Sequence, residues 1–334
     1  FFSCLFLLCC FSIAGKVPSK QKIRLTDNWE YLKGDLGGIW EVVRPASPGS
    51  PETVPIWQKV TLPHCFNAED AVDPDVNYYQ GPGWYKTLLT IDNPYADGRV
   101  ILDFEGAGQK TKVYVYTTLV GEHTGGYDGW SVDITEAVKS FMADDKLVKR
   151  FKGKIPLSIR CDNSRDLEMI PSDLSDFNLY GGLYRYLNLV YLPKASFEQI
   201  RLEPELSANR KEGSVKIKAS FYNPADIRKA DVTVSVYDAN RKQIFTQTIE
   251  NILPLGNQFL TEVKVKNPVL WDVDSPNLYT CELTINADGQ TLTAEESFGF
   301  RQFEFQEKGP FFLNGRRLLL QGTHRHEDHL RPLG

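Results

Sequence analysis

The sequence predicts an all-β protein: a jelly-roll β-sandwich, then an immunoglobulin-like β-sandwich, then the truncated start of a third domain. Three observations carry this. Apolar side chains recur with a period of two from about residue 100 onward, the runs are short and separated by turn residues, and only one short stretch, around Thr135 to Phe141, has a helical pattern.

The first fourteen residues, Phe1 to Ala14, form an uncharged apolar run ending in Ser12-Ile13-Ala14, with small residues where a signal peptidase reads. We expect residues 1–14 to be an incomplete signal peptide, cleaved before Gly15, and the protein to be exported, periplasmic or secreted. The run is too short to span a bilayer, so no membrane partner is expected. Cleavage removes Cys4, Cys9 and Cys10 and leaves Cys65, Cys161 and Cys281, too few for a disulfide framework. Cys161 and Cys281 continue the alternations Leu157, Ile159 and Tyr279, Leu283, which places them as small apolar side chains on buried strand faces.

Residues 23–194 hold the first set of strands: Val100, Leu102 and Phe104; Val113 and Val115; Leu157, Ile159 and Cys161; Leu187, Leu189 and Tyr191. Asp92-Asn93-Pro94 and Gly125-Gly126 punctuate them. Many short strands over such a length suit two facing sheets. Residues 196–303 repeat the alternation in a different rhythm, through Val215 to Phe221, Val232 to Val236, Val263 and Val265, and Tyr279 to Ile285. Asp288-Gly289 lies between Leu283-Thr284-Ile285 and Thr291-Leu292-Thr293 and predicts a hairpin. About seven such strands make an immunoglobulin-like sandwich. In residues 304–334, Asn314-Gly315 marks a turn, and Leu318-Leu319-Leu320 is expected to be a fully buried strand of a domain begun and cut off.

Composition narrows the function. Apolar residues are 42% and charged residues 24% of the 334, an ordinary globular balance that excludes disorder, collagen and coiled coil as the main architecture. Net charge is −5, and the longest basic cluster, Lys149, Arg150, Lys152 and Lys154, is too small for a nucleic-acid footprint and suits a solvated loop. Three groups are candidates for chemistry. His324, His326 and His329 lie within six residues; a His-x-His pair offers imidazoles to zinc, and an exposed polar loop explains it equally. Aromatic residues around Tyr78, Tyr79, Trp84 and Tyr85, and again at Tyr127 and Trp130, suit sugar rings, and as core they need no ligand. Asp173, Asp176 and Asn178 offer oxygens to a cation or to hydroxyls, or cap their own turn.

Taken together, the segments resemble the N-terminal part of glycoside hydrolase family 2, the β-galactosidases, β-glucuronidases and β-mannosidases. The matching pieces are Leu62-Pro63-His64, Gly83-Trp84-Tyr85, Val113 to Tyr127, Val132 to Thr135 and Gly181 to Arg185; then Pro268 to Trp271, Pro276 to Tyr279 and Phe298 to Arg301; then Asn314-Gly315 and Gly322 to Glu327. The resemblance implies that the third domain is a catalytic (β/α)8 barrel, with Leu318 to Leu320 its first strand. It implies that His326 contacts the sugar, in preference to zinc. It also implies that Asp176 reaches the sugar hydroxyls and a nearby monovalent cation. Tyr116-Thr117-Thr118 replaces an Asn-Gly turn common in the family.

Members of the family hydrolyse glycosides with retention, through one Glu as acid/base and a second as nucleophile. The acid/base follows an Asn, and this chain has no Asn-Glu dipeptide. No catalytic residue is therefore assigned within it; both glutamates are expected beyond Gly334, and the 334 residues are expected to be inactive alone. The expected function is that of a fragment of an exported retaining β-glycosidase, β-galactosidase-like, acting on a carbohydrate substrate. The expected cofactor is none for the fragment, with Na, Mg or Ca open for the full-length enzyme, and a homo-oligomer is open too. The alternative is a non-catalytic carbohydrate-binding β-sandwich protein.

Overall fold

The computed structural model describes residues 21–44, 56–70, 73, 75–170 and 178–324. The chain divides into two compact units, one built mainly from Gln21–Lys194 and the other mainly from Ala195–Phe303.

In the first unit most of the described strands form two facing sheets. One orders Gln21–Arg24, Leu187–Leu192, Arg99–Phe104 and Trp130–Asp133 side by side. The other orders Gln58–Val60, Trp29–Lys33, Pro82–Leu89, Ile155–Asp162, Lys110–Val115 and Thr118–Thr124. The period-two pattern assigns each side chain to a face. Tyr31, Tyr85, Ile159 and Val113 stand in cross-strand register and point inward. They meet Leu102, Phe104, Leu187 and Leu189 of the facing sheet in one continuous core. Trp84 and Tyr85 are both buried, which decides for the core reading of that aromatic pair. Cys161 is also buried, and its thiol is pushed up to about 12 by burial.

The helix Thr135–Met142 sits where its pattern predicts and packs on the strand Arg99–Phe104. Its first turn is fixed by Asp133, whose Oδ1 accepts from the Thr135 amide at 2.9 Å, while Thr135 Oγ1 accepts from the Val100 amide at 2.9 Å. Two shorter helices were not legible in the pattern. Ile39–Val43 is one, and Asp145–Arg150 is the other, N-capped by Asp144, whose side chain accepts from the amides of Lys146 and Leu147. Lys149 and Arg150 of the basic cluster thus lie in a helical last turn, where the carbonyl end favours cations.

In the second unit the described strands form two sheets, Ser196–Leu206, Glu212–Tyr222 and Gly256–Lys266 against Gln243–Ile252, Ala230–Tyr237, Tyr279–Ala287 and Gln290–Phe298. Val215, Ile217, Val232, Val234, Cys281 and Leu283 are buried as the alternation requires. The hairpin at Asp288-Gly289 is present, and positive φ at both residues suits a two-residue turn. These two sandwiches are the all-β class that the sequence predicts.

The described residues bear on the turn expected at Asn314-Gly315 and on the leucines that follow it. The turn forms, joining Phe311–Leu313 to Arg316–Leu318, but Leu319 and Leu320 are 71% and 65% exposed. An apolar run is buried only by what packs on it, and among the described residues nothing covers these two.

His64 occupies the family-like Leu62-Pro63-His64 segment, after a cis Leu62–Pro63 bond. Its Nδ1 lies 2.8 Å from the Tyr85 hydroxyl, and burial lowers its pKa to about 4. An unfolded His titrates near ~6.5, so between about pH 6.5 and 4 the unfolded chain takes up a proton that the folded chain refuses. Stability from this group is complete above that window and declines as pH falls through it. The urea midpoint is expected to drop across the window in the parent protein and to drop less in His64→Gln; equal slopes would assign the effect to other groups.

Candidate functional site

At one end of the first sandwich, strands give way to crossing loops. Gly182–Leu183 pairs with His64–Cys65, and Gly108 and Gly182 exchange backbone hydrogen bonds at 3.0 and 3.3 Å. The Gly108–Gln109 peptide is cis. Gly182 is required here, because its φ is +106° and a Cβ would run into the Tyr85 hydroxyl.

Two fully buried asparagines lock these loops together. Asn67 Nδ2 donates to the carbonyls of Leu179 at 2.8 Å and Tyr79 at 3.2 Å, and its Oδ1 accepts from the Gly181 amide at 2.9 Å. Asn163 Nδ2 donates to the same two carbonyls, at 2.7 and 3.0 Å, and its Oδ1 accepts from the Gly81 amide at 2.8 Å. Segments 79–81 and 179–181 leave the strand ladders at this point, and the paired carboxamides supply the partners that strands would otherwise give them.

Around this clamp stand neutral polar groups. The Gln109 carboxamide is 1% exposed, lies against Gly126 and beside Tyr127, and among the described residues neither of its ends makes a hydrogen bond of full geometry. Tyr184 donates to the Gly126 carbonyl, and its ring centroid is 6.4 Å from that of Tyr127. Tyr78, near Asn67 and Tyr127, has its hydroxyl pKa raised by burial, as has Tyr184. Cys65 donates its thiol to Asn67 Oδ1 at 3.2 Å, and burial pushes it up to about 11, so it remains a thiol rather than a nucleophilic thiolate. Among the described residues these groups offer hydrogen bonding and ring contact, and Arg185, which donates to the Tyr127 carbonyl at 2.9 Å, adds a cation beside them.

Of the residues singled out in the sequence, Asp176, with its expected cation, and His326 lie outside the described residues, as do Asp173, Glu327, His329 and residues 1–14. Asn178 is half-buried and His324 exposed. Among the described residues no group of three or more His, Cys, Asp or Glu side chains is placed to hold a metal ion. Tyr127 is exposed enough to meet a ligand, and Trp130 stacks on Phe104 at 4.0 Å as part of the core margin. Asn67, Asn163 and Gln109 were not legible: each follows or precedes a strand as any turn residue does.

The clamp makes a quantitative prediction. Asn163→Ala leaves the Gly81 amide without its acceptor, and Asn67→Ala does the same to Gly181, while the shared carbonyls keep the other donor. Each single change is expected to cost roughly 1–3 kcal/mol in urea unfolding. The double variant strands the carbonyls as well and is expected to cost more than the two singles added, a coupling that a double-mutant cycle measures. Simple additivity would mean that the two amides act independently.

Comparison with known proteins accords with this architecture. The chain is 34% identical over 315 residues to a putative β-glucuronidase of Formosa agariphila, matching 93% of this chain and 35% of that protein. It is 26% identical over 308 residues to a β-galactosidase of Thermoanaerobacter pseudethanolicus, matching 90% of this chain and 38% of that protein. The crystal structure of Parabacteroides merdae β-glucuronidase superposes with a TM-score of 0.88 at 76% identity, covering 92% of this chain and 40% of that one. The chain thus spans well under half the length of these relatives. The model of the sugar binding domain of glycosyl hydrolases family 2 matches residues 21–193, and a second model of that family matches residues 195–301. These two matches span both sandwiches, and the chain belongs to glycosyl hydrolases family 2.

Proposed function

We propose that this chain is part of an exported retaining β-glucuronidase, which removes a terminal β-linked glucuronate from a carbohydrate or conjugate. The observation that carries this reading is the 76% identity to the Parabacteroides merdae β-glucuronidase across 92% of the chain. The motifs alone pointed to a β-galactosidase; the β-galactosidase relative stands at 26% identity, below the 34% of the Formosa agariphila β-glucuronidase-like protein. Glucuronate differs from galactose by a carboxylate on C6, so the substrate brings a negative charge that the complete site must pair.

In this reading the jelly roll shapes one side of the sugar site, and the Asn67–Asn163 clamp holds the loops from which it does so. Asp176 accepts from sugar hydroxyls, and His326 contacts the sugar. The acid/base and nucleophile glutamates belong to the barrel, and their spacing of about 5 Å sets retention. A monovalent cation near Asp176 would lower the cost of placing that carboxylate beside the substrate's own charge. Export rests on the apolar run Phe1 to Ala14.

The test is the longer protein assayed with p-nitrophenyl β-D-glucuronide and the matching galactoside. The glucuronide is expected to have the higher kcat/KM by at least ~100-fold, since a site built to pair a charge discriminates strongly against its absence. Asp176→Ala and His326→Ala are each expected to lower kcat/KM by roughly 10²–10³ with the fold intact. Preference for the galactoside would overturn the specificity. Sugar binding without hydrolysis of either would select the non-catalytic carbohydrate-binding alternative.

A further inference from the structure

The outer face of the six-stranded sheet carries a cleft of about 470 Å³, bounded by Val42, Leu88, Phe151 and Pro156 below and by Arg44, Lys86 and Lys154 at the rim. That volume lies within the ~300–1,000 Å³ of small-molecule sites. Cross-strand register explains its floor and wall: Glu30, Lys86 and Ser158 stand side by side, and Leu88 stands beside Pro156, all on the face opposite the core.

The charges around it are unbalanced. Lys86 pairs with Glu30 at 3.3 Å and lies 4.0 Å over the Trp57 ring; Arg44 pairs with Glu41 at 2.7 Å. Arg150 donates to the Val43 carbonyl at 3.0 Å and lies over the Phe151 ring, and neither it nor Lys154 has a carboxylate partner among the described residues. The residues lining the cleft include three cations, Arg44, Lys86 and Lys154, against one carboxylate, Glu30, in a chain whose net charge is −5. The floor is not polar to match: Leu88 is 47% exposed within the cleft. Cations at the rim over an aliphatic and aromatic floor suit a ligand that has carboxylates at its edge and C–H faces between them.

We propose that this cleft binds an acidic oligosaccharide, the carboxylates of consecutive uronate units pairing with Lys154 and Lys86 while a sugar face covers Leu88 and Phe151. The choice of a saccharide over other anions rests on the reading of a carbohydrate-active protein; the charge and the apolar floor do not. The basic cluster read from the sequence as a solvated loop acquires a role through Lys154.

Calorimetric titration with tetramannuronate, with neutral β-1,4-mannotetraose of the same backbone, and with sodium sulfate tests this. Tetramannuronate is expected to bind at least tenfold tighter than mannotetraose. The Lys86→Gln/Lys154→Gln double variant and Leu88→Asp are each expected to weaken it at least tenfold, and Lys264→Gln, on the other sandwich, to leave it within twofold. Circular dichroism and thermal midpoints of the variants establish that they fold. Equal binding of the neutral tetrasaccharide, indifference to the variants, or sulfate binding as tightly as tetramannuronate would each overturn the proposal. Glucuronide hydrolysis by the longer protein carrying the Lys86→Gln/Lys154→Gln change is expected to be unaltered. Binding here without any glucuronidase activity would therefore fail the proposed activity and keep this site, and activity without binding would do the reverse.

Discussion

Two backbone carbonyls, those of Tyr79 and Leu179, set the terms for one end of the jelly roll. They stand a hundred residues apart in the chain, where the strands have ended, and both are answered by the same pair of buried carboxamides. A buried carbonyl without a donor is costly, so the loops carrying Tyr78 and Tyr180 are held wherever Asn67 and Asn163 can reach both. The Gly181 and Gly81 amides close the arrangement from the other side of each carboxamide. Loops that vary freely in length and sequence can emerge from such a fixed base, which is how a rigid scaffold presents a binding surface.

The sheet beneath that base serves two purposes through one periodicity. Odd positions such as Tyr31, Tyr85 and Ile159 fill the core, and their even neighbours Glu30, Lys86 and Ser158 line the outer cleft. A register slip of one residue would exchange the two sets and place Lys86 among aromatic rings. The demand for a dry core thus also fixes the spacing of the charges outside it.

The sandwiches were legible because burial on alternate positions needs no knowledge of the partner strand: Val215, Ile217 and Val232, Val234 announce a strand wherever they end up. The hairpin at Asp288-Gly289 was legible because two adjacent positive φ values restrict the residue types. The helix Ile39–Val43, a little over one turn, is too short for periodicity to accumulate. The exposure of Leu319 and Leu320 shows the converse limit, since an apolar run states what would be buried and not what is there to bury it. Asn67 and Asn163 were invisible for another reason. Their role is defined by carbonyls up to 112 residues away, and an Asn after a strand looks the same whether it bonds its own turn or a distant one. Asp176 and His326 were named from family resemblance, and no local pattern distinguishes them from neighbouring acidic or imidazole groups.

The cysteines of the two cores have a practical meaning that their packing does not announce. Cys161 and Cys281 are both buried, one in each sandwich, and burial pushes each thiol up to about 12. A thiol that is both shielded and protonated ignores alkylating reagents at neutral pH until the sheets around it part. Each sandwich therefore contains its own internal clock for opening, and mass spectrometry of the two alkylated peptides would time the two domains separately within a single molecule.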